Sequence, residues 1–185
     1  MRIIAGTAGR RAIKVPAHVT RPTTDFVRQA MFSILGEKVV AARVLDLYAG
    51  SGAIGLEALS RGAASCVFVD DHRQAVATIT RNLAATGLAD GRAVCAETAA
   101  FLRRDRGTYD LIFADPPYCR HPGDADPLAA LLAGELLGPR LADGGWFIAE
   151  TAASHASPGG PGWDLRDRRE YGGSAILLYA RTAAT

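Results

Sequence analysis

"DLYAGSGAIGLEA", residues 46–58, holds the change of pattern that sets the fold. The run leading into it, "RVLDLYA", is mostly apolar with one carboxylate near its middle, as in a strand covered on both faces. The run leaving it, "AIGLEALSRG", reads as a helix that stops at Gly62. Between them Gly50, Ser51, Gly52 and Gly55 satisfy G-x-G-x-x-G at the strand-to-helix turn where that motif has meaning. Glycines there let the chain turn sharply and let a ligand approach the main chain.

The alternation continues outward. "SCVFVD" predicts a strand, and about His72 to Ala85 a helix. "RAVCA" predicts a strand, followed by a short helix through Leu102. "YDLIFAD" is a strand, the region Leu128 to Leu137 a helix, and "GWFIAET" a further strand. "SHASPGGPG" is a loop, and "WDLRDRREYG" with "SAILLYAR" a closing pair of strands. Strands alternating with helices imply an α/β doubly wound, mostly parallel sheet, and the closing pair implies an antiparallel edge hairpin. Ahead of it, "RIIAGTAGRRAIKVP" predicts a short β-hairpin and "RPTTDFVRQAMFSIL" a helix capped by Thr23 or Thr24. The expected organisation is an N-terminal extension, residues 1–36, appended to one domain, residues 37–185.

The 185 residues are 49% hydrophobic and 22% charged, ordinary values for a globular chain with a full core. No apolar run reaches membrane-spanning length, and the first residues lack the apolar centre of a secretory signal. Cys66, Cys95 and Cys119 have neither metal spacing nor a disulfide pattern, which fits a reducing cytoplasm; Cys66 and Cys95 are expected to be buried in strands. Net charge is +2, but it is uneven: six basic residues stand against one acid through Arg28. A basic arm on a slightly acidic body points to a polyanionic partner.

Asp46 lies four residues before Gly50. A pyrophosphate at this loop would meet a like charge, whereas the sulfonium and α-ammonium of S-adenosylmethionine suit a carboxylate. Asp46 acts directly or by bracing the loop. Asp70 ends the next strand at the place for a ribose contact, Asp71 is expected to cap the following helix, and Glu97 is placed for an adenine amino group or as an exposed helix-start acid.

Asp115, Pro116, Pro117 and Tyr118 end the fourth strand, on the ligand edge of the sheet. An exocyclic amino group on a base is a poor nucleophile because its lone pair is delocalised. Two acceptors on its N–H bonds, the Asp115 carboxylate and the Pro116 carbonyl, would turn the lone pair towards a methyl donor. Tyr118 would stack on the base and hold it in line.

With "RIIAG", "GRR", "RPTTDFVRQAMFSIL", "VLDLYAGSGAIGLEALSRGA", "ADPPY" and "REYGGSAILLY", the chain resembles the bacterial RsmD family over nearly its full length. The resemblance implies a class I (Rossmann-like) methyltransferase sheet with an extension that helps hold RNA. The implied activity is methyl transfer from S-adenosylmethionine to a guanine N2 of 16S ribosomal RNA. Carried over by position, Asp46, Gly50, Gly52, Asp70 and Glu97 would bind the cofactor, with Tyr48, Ala49, Ser51 and Gly55 completing the loop. Asp115 to Tyr118 would hold the amino group, and Arg10, Arg11, Arg21, Thr23 and Arg28 would meet RNA. Asp70 stands where the family commonly has glutamate, Glu97 where it has aspartate, and Tyr48 where it has phenylalanine.

Four other readings compete, one of them a non-catalytic RNA-binding protein that kept the fold, which no degenerate loop supports. An adenine-N6 methyltransferase on DNA would want a separate target-recognition domain. A protein-glutamine methyltransferase usually goes with asparagine at the Asp115 position. An NAD(P)-dependent oxidoreductase leaves Asp46 and the Asp-Pro-Pro-Tyr segment without purpose. His18, His72, His121 and His155 have no metal spacing and default to solvated side chains; no metal is expected. The expected partner is ribosomal RNA or the small subunit, met by a cytoplasmic monomer.

Overall fold

Val44, Leu45 and Leu47 have no exposed surface, because their strand, β1 (Arg43–Leu47), runs inside a seven-stranded sheet with helices on both faces. The computed structural model describes residues 1–16, 24–117 and 126–182. Its other elements are α1 (Asp25–Leu35), α2 (Ala53–Ser60), β2 (Ser65–Asp70), α3 (Arg73–Thr86), β3 (Gly91–Cys95), α4 (Thr98–Arg104), β4 (Tyr109–Ala114), α5 (Pro127–Ala133), β5 (Leu141–Ala152), β6 (Trp163–Tyr171) and β7 (Ser174–Arg181).

The strand order is β3-β2-β1-β4-β5-β7-β6. The first five are mutually parallel, and β7 is antiparallel to both β5 and β6. This is the doubly wound, mostly parallel sheet with the antiparallel edge hairpin that the sequence implied. Successive strands leave β1 towards β3 and β4 towards β5, so the order reverses between β1 and β4. A crevice for ligands opens at the carboxyl ends of those two strands.

Strand alternation makes two cores. Val44, Phe68, Leu111, Phe113 and Ile148 face one side, under α1, α2 and α3. Leu45, Leu47, Ile112, Phe147 and Leu177 face the other, under α4 and α5. Thr24 caps α1, its hydroxyl accepting from the Val27 amide; Thr23, the other candidate, lies outside the described residues.

Four expectations change. The N-terminal hairpin has one antiparallel bridge, Arg2 with Ala12, rather than two regular strands. The reason is competition for donors: the amides of Ile4 and Ala5 bond the Glu57 carboxylate, and those of Thr7 and Ala8 bond Ser60. Ile3, Ala8 and Ile13 are thereby seated in the same core as α1 and α2. Helix α5 ends at Ala133, before a proline-containing 3-10 turn at Gly138–Arg140. Cys66 is buried as expected, but Cys95 is exposed because β3 is an edge strand. The Asp71 cap is also absent: His72 is the cap residue of α3, and its amide bonds Asp70.

Candidate active site

The glycine loop leaves β1 through left-handed backbone at Tyr48, Gly50 and Gly52. The Ala49 amide donates to the Val69 carbonyl (3.0 Å), tying the loop to the end of β2. The Gly50 amide donates to Asp70 Oδ2 (2.8 Å). Asp46 is 2% exposed, and its Oδ2 accepts from the Gly55 amide at 3.0 Å. It therefore braces the start of α2 from beneath. Burial first, then the charges of Asp115 and Asp70, push its pKa up to about 8 despite the bond from Gly55.

The remaining loop residues divide. A Cβ on Gly55 would lie 2.3 Å from the Phe68 ring, so Gly55 allows α2 to close on β2 rather than admitting a ligand. Ser51 is buried with its hydroxyl 3.8 Å from the Met1 sulfur. Tyr48 is half-buried and shares a hydrogen bond with Thr98; burial raises its phenol above the ordinary value.

Asp70 holds two amides, those of Gly50 and His72, and its side chain keeps 10% exposure at the crevice. Glu97 caps α4 with both oxygens, at 2.9 Å from the Ala99 amide and 2.7 Å from the Ala100 amide. That is the exposed helix-start reading, and the cap competes with any adenine contact. Asp70, Asp71 and His72 place their ligand atoms within 4.8 Å of one another, and the pairing of His72 Nδ1 with Asp71 accounts for the closeness.

Three bracing residues had no motif to announce them. Glu57 is fully buried and accepts from Ile4, Ala5 and Arg61. Ser60 Oγ donates to the Ala5 carbonyl. Asn82 on α3 accepts from the Lys14 amide and donates to the carbonyls of Lys14 and Ser51, joining the N-terminal segment to the glycine loop. Acid and amide on a helix are ordinary in a sequence; only their burial gives them away.

The expectation that Arg28 meets RNA fails. Its side chain has no exposure, bonds the Arg2 carbonyl and Asp25, and lies 3.9 Å from Glu57. Arg10 is exposed, while Arg11 donates to the Thr86 carbonyl at 2.7 Å and is partly structural. Arg21, Thr23 and Tyr118 lie outside the described residues.

Beyond the crevice, Asp115 follows Ala114, which pairs with Leu47, so the end of β4 stands next to the start of the glycine loop. Asp115 is half-buried, Pro116 buried and Pro117 exposed. Pro116 and Pro117 border a cavity of about 130 Å³ that continues to Thr151 at the end of β5 and to His155. His155 keeps part of its side chain exposed but is not left to solvent alone: its Nε2 lies 2.9 Å from Asp126 Oδ2.

The family described as conserved hypothetical protein 95 matches residues 1–180. Ribosomal RNA small subunit methyltransferase D of Escherichia coli K12 is 35% identical over 185 residues, which is 99% of this chain and 91% of that one. The chain belongs to the RsmD family. A putative rRNA methyltransferase of Bacillus subtilis is also 35% identical, over 98% of this chain and 99% of its own. A solved putative methyltransferase from E. coli superposes with a TM-score of 0.83 at 35% identity, over 100% of this chain and 99% of that one. The RsmD fold thus spans the N-terminal segment as well as the sheet.

Proposed function

We propose that the protein transfers a methyl group from S-adenosylmethionine to the exocyclic N2 of a guanine in small-subunit ribosomal RNA. The observation that carries this reading is the Asp115-Pro116-Pro117 segment, set directly after β4 and beside the glycine loop of β1. The RNA substrate named for relatives of 35% identity supports the choice of polymer.

The residues fit the cofactor. Asp70 and Asp115 already raise the pKa of Asp46, so the crevice carries surplus negative charge that a sulfonium and an α-ammonium would relieve. Asp70 is the group for ribose hydroxyls, and Ala49 to Gly52 supply main chain. Bound there, the cofactor supplies an electrophilic methyl group. The Asp115 carboxylate and the Pro116 carbonyl each accept an N–H of the target amine and turn its lone pair into line. Proline holds the carbonyl's direction, and Tyr118 stacks on the base. The proton that the nitrogen loses leaves along the Asp115 hydrogen bond. Methyl transfer from a sulfonium depends on alignment more than on a strong base.

The target base must leave its stack to reach Asp115, so the RNA has to be gripped while it is distorted. Arg10 and Arg11, with Arg21 and Thr23, form that grip on phosphates. Among the described residues no helix is long and apolar enough to cross a membrane. Three large apolar side chains there are exposed, Phe26, Val40 and Leu165, which supports a monomer. We place it in the cytoplasm, where ribosomal RNA is modified.

The test incubates the protein and methyl-labelled S-adenosylmethionine with small subunits, and with free RNA, from cells lacking it. Mass spectrometry of the digested nucleosides is expected to find N2-methylguanosine. N6-methyladenosine, or label in protein alone, would overturn the reading.

A further inference from the structure

The cavity beside Pro116 and Pro117 has a polar wall that the proposed chemistry has not used. Its volume of about 130 Å³, at a liquid share of about 30 Å³ per water, is room for about four waters, so the edge of a base can enter it. Asp126 and His155 line it together. Asp126 is held twice: Oδ1 accepts from the Leu128 amide at 2.9 Å, and Oδ2 meets His155 Nε2 at 2.9 Å. The connection that carries His155 is also held. Arg168 donates to the Ala153 and His155 carbonyls and to Ser157 Oγ, and the His155 amide donates to the Ala152 carbonyl.

This arrangement fixes a tautomer. A carboxylate only accepts, so Nε2 carries the proton, and in the neutral ring Nδ1 keeps its lone pair. Among the described residues no hydrogen bond reaches Nδ1. His155 is 33% exposed, enough for a ligand to reach it.

We infer that His155 selects the base, accepting the guanine N1–H through Nδ1, and that Asp126 is the positioning residue that keeps Nδ1 an acceptor. This rests on the guanine-N2 reading above. Guanine carries an N1–H donor next to its N2 amine. Adenine and 2-aminopurine carry a bare N1 lone pair instead, which would meet the lone pair of Nδ1. The pair thus adds to Asp115 a discrimination that the amine alone does not provide, because 2-aminopurine has the same amine.

The test uses RNA with guanine or 2-aminopurine at the methylated position and compares kcat/KM for wild type, His155→Ala and Asp126→Asn. The wild type should prefer guanine. His155→Ala should lower that preference by about tenfold, the scale of one hydrogen bond. In Asp126→Asn the amide oxygen keeps the Leu128 cap and the amide N–H turns to Nε2. The histidine proton moves to Nδ1, so the preference should fall at least as far while turnover of 2-aminopurine itself rises. A merely structural defect would not raise that rate. Calorimetry should give one S-adenosylmethionine affinity for all three proteins. The same base preference in all three overturns the assignment and leaves guanine-N2 transfer standing. A methyl group found on another atom or polymer overturns both.

Discussion

The two sides of the crevice are built differently. On the glycine-loop side every residue from Ser51 to Ser60 is buried, and the loop is held from behind by Asp46, Asn82 and Glu57. On the far side Pro117 is exposed, and Asp126 with His155 forms a polar pair that keeps part of its surface open. A wall that meets one small ligand at every turnover is free to be rigid. A wall that admits a base from a polymer has to stay open, so its polar groups keep partial exposure while hydrogen bonds hold them in place.

Cutting the brace of the rigid side should produce the largest effect. Arg28→Ala removes a buried cation beside Glu57, and the unfolding free energy should fall by about 3 kcal/mol. Denaturant titration reads it; unchanged stability with weaker RNA binding would return Arg28 to the RNA surface. On the open side, Asp115→Ala should lower kcat on the order of 100-fold, by analogy with losing a preorganised transition-state contact. Cofactor affinity, measured by calorimetry, should fall far less than kcat, because Asp70 keeps its carboxylate at the crevice. Full turnover would remove Asp115 from the chemistry.

Asp46 gives a pH-dependent contrast. Its carboxyl ionises at about 8 when folded and near the ordinary 3.8 when unfolded. Between those values the folded state holds more protons, so stability declines as pH rises, by at most about 1.4 kcal/mol per pH unit. Asp46→Asn keeps an acceptor for Gly55 and should flatten that decline; parallel slopes for the two proteins between pH 5 and 8 would contradict the raised value. The smallest effect concerns the arm. Arg10→Ala with Arg11→Ala should reduce the slope of log affinity for RNA against log salt by about 1 to 2. An unchanged slope would make the arm structural.

The open architecture was legible because it is written in local pattern. "RVLDLYA", "SCVFVD" and "YDLIFAD" are strands on their own evidence, and Gly50 to Gly55 mark the turn that orders them. Asp46 was legible as a site residue, and the choice between contact and brace awaited the Gly55 amide. What escaped was set at a distance. Glu57 reads as a solvated helix acid until its partners arrive from 52 and 53 residues away. Arg28 reads as part of a basic arm, although that same acid draws it inward. Cys95 reads as core because sequence does not say which strand is the edge. His155 reads as a loop histidine because Asp126 is 29 residues distant.

The Asn82 bridge also has a consequence for how the chain is made. Its amide group holds Lys14, 68 residues earlier, and Ser51, 31 residues earlier. At roughly 5–20 residues per second, synthesis leaves the first segment waiting several seconds before its last partner emerges. During that interval the Lys14 amide has only water to bond, while Ile4 and Ala5 gain Glu57 sooner. The glycine loop is therefore completed only once α3 has been made, and a nascent chain stalled before α3 carries the full motif without the structure that makes it a site.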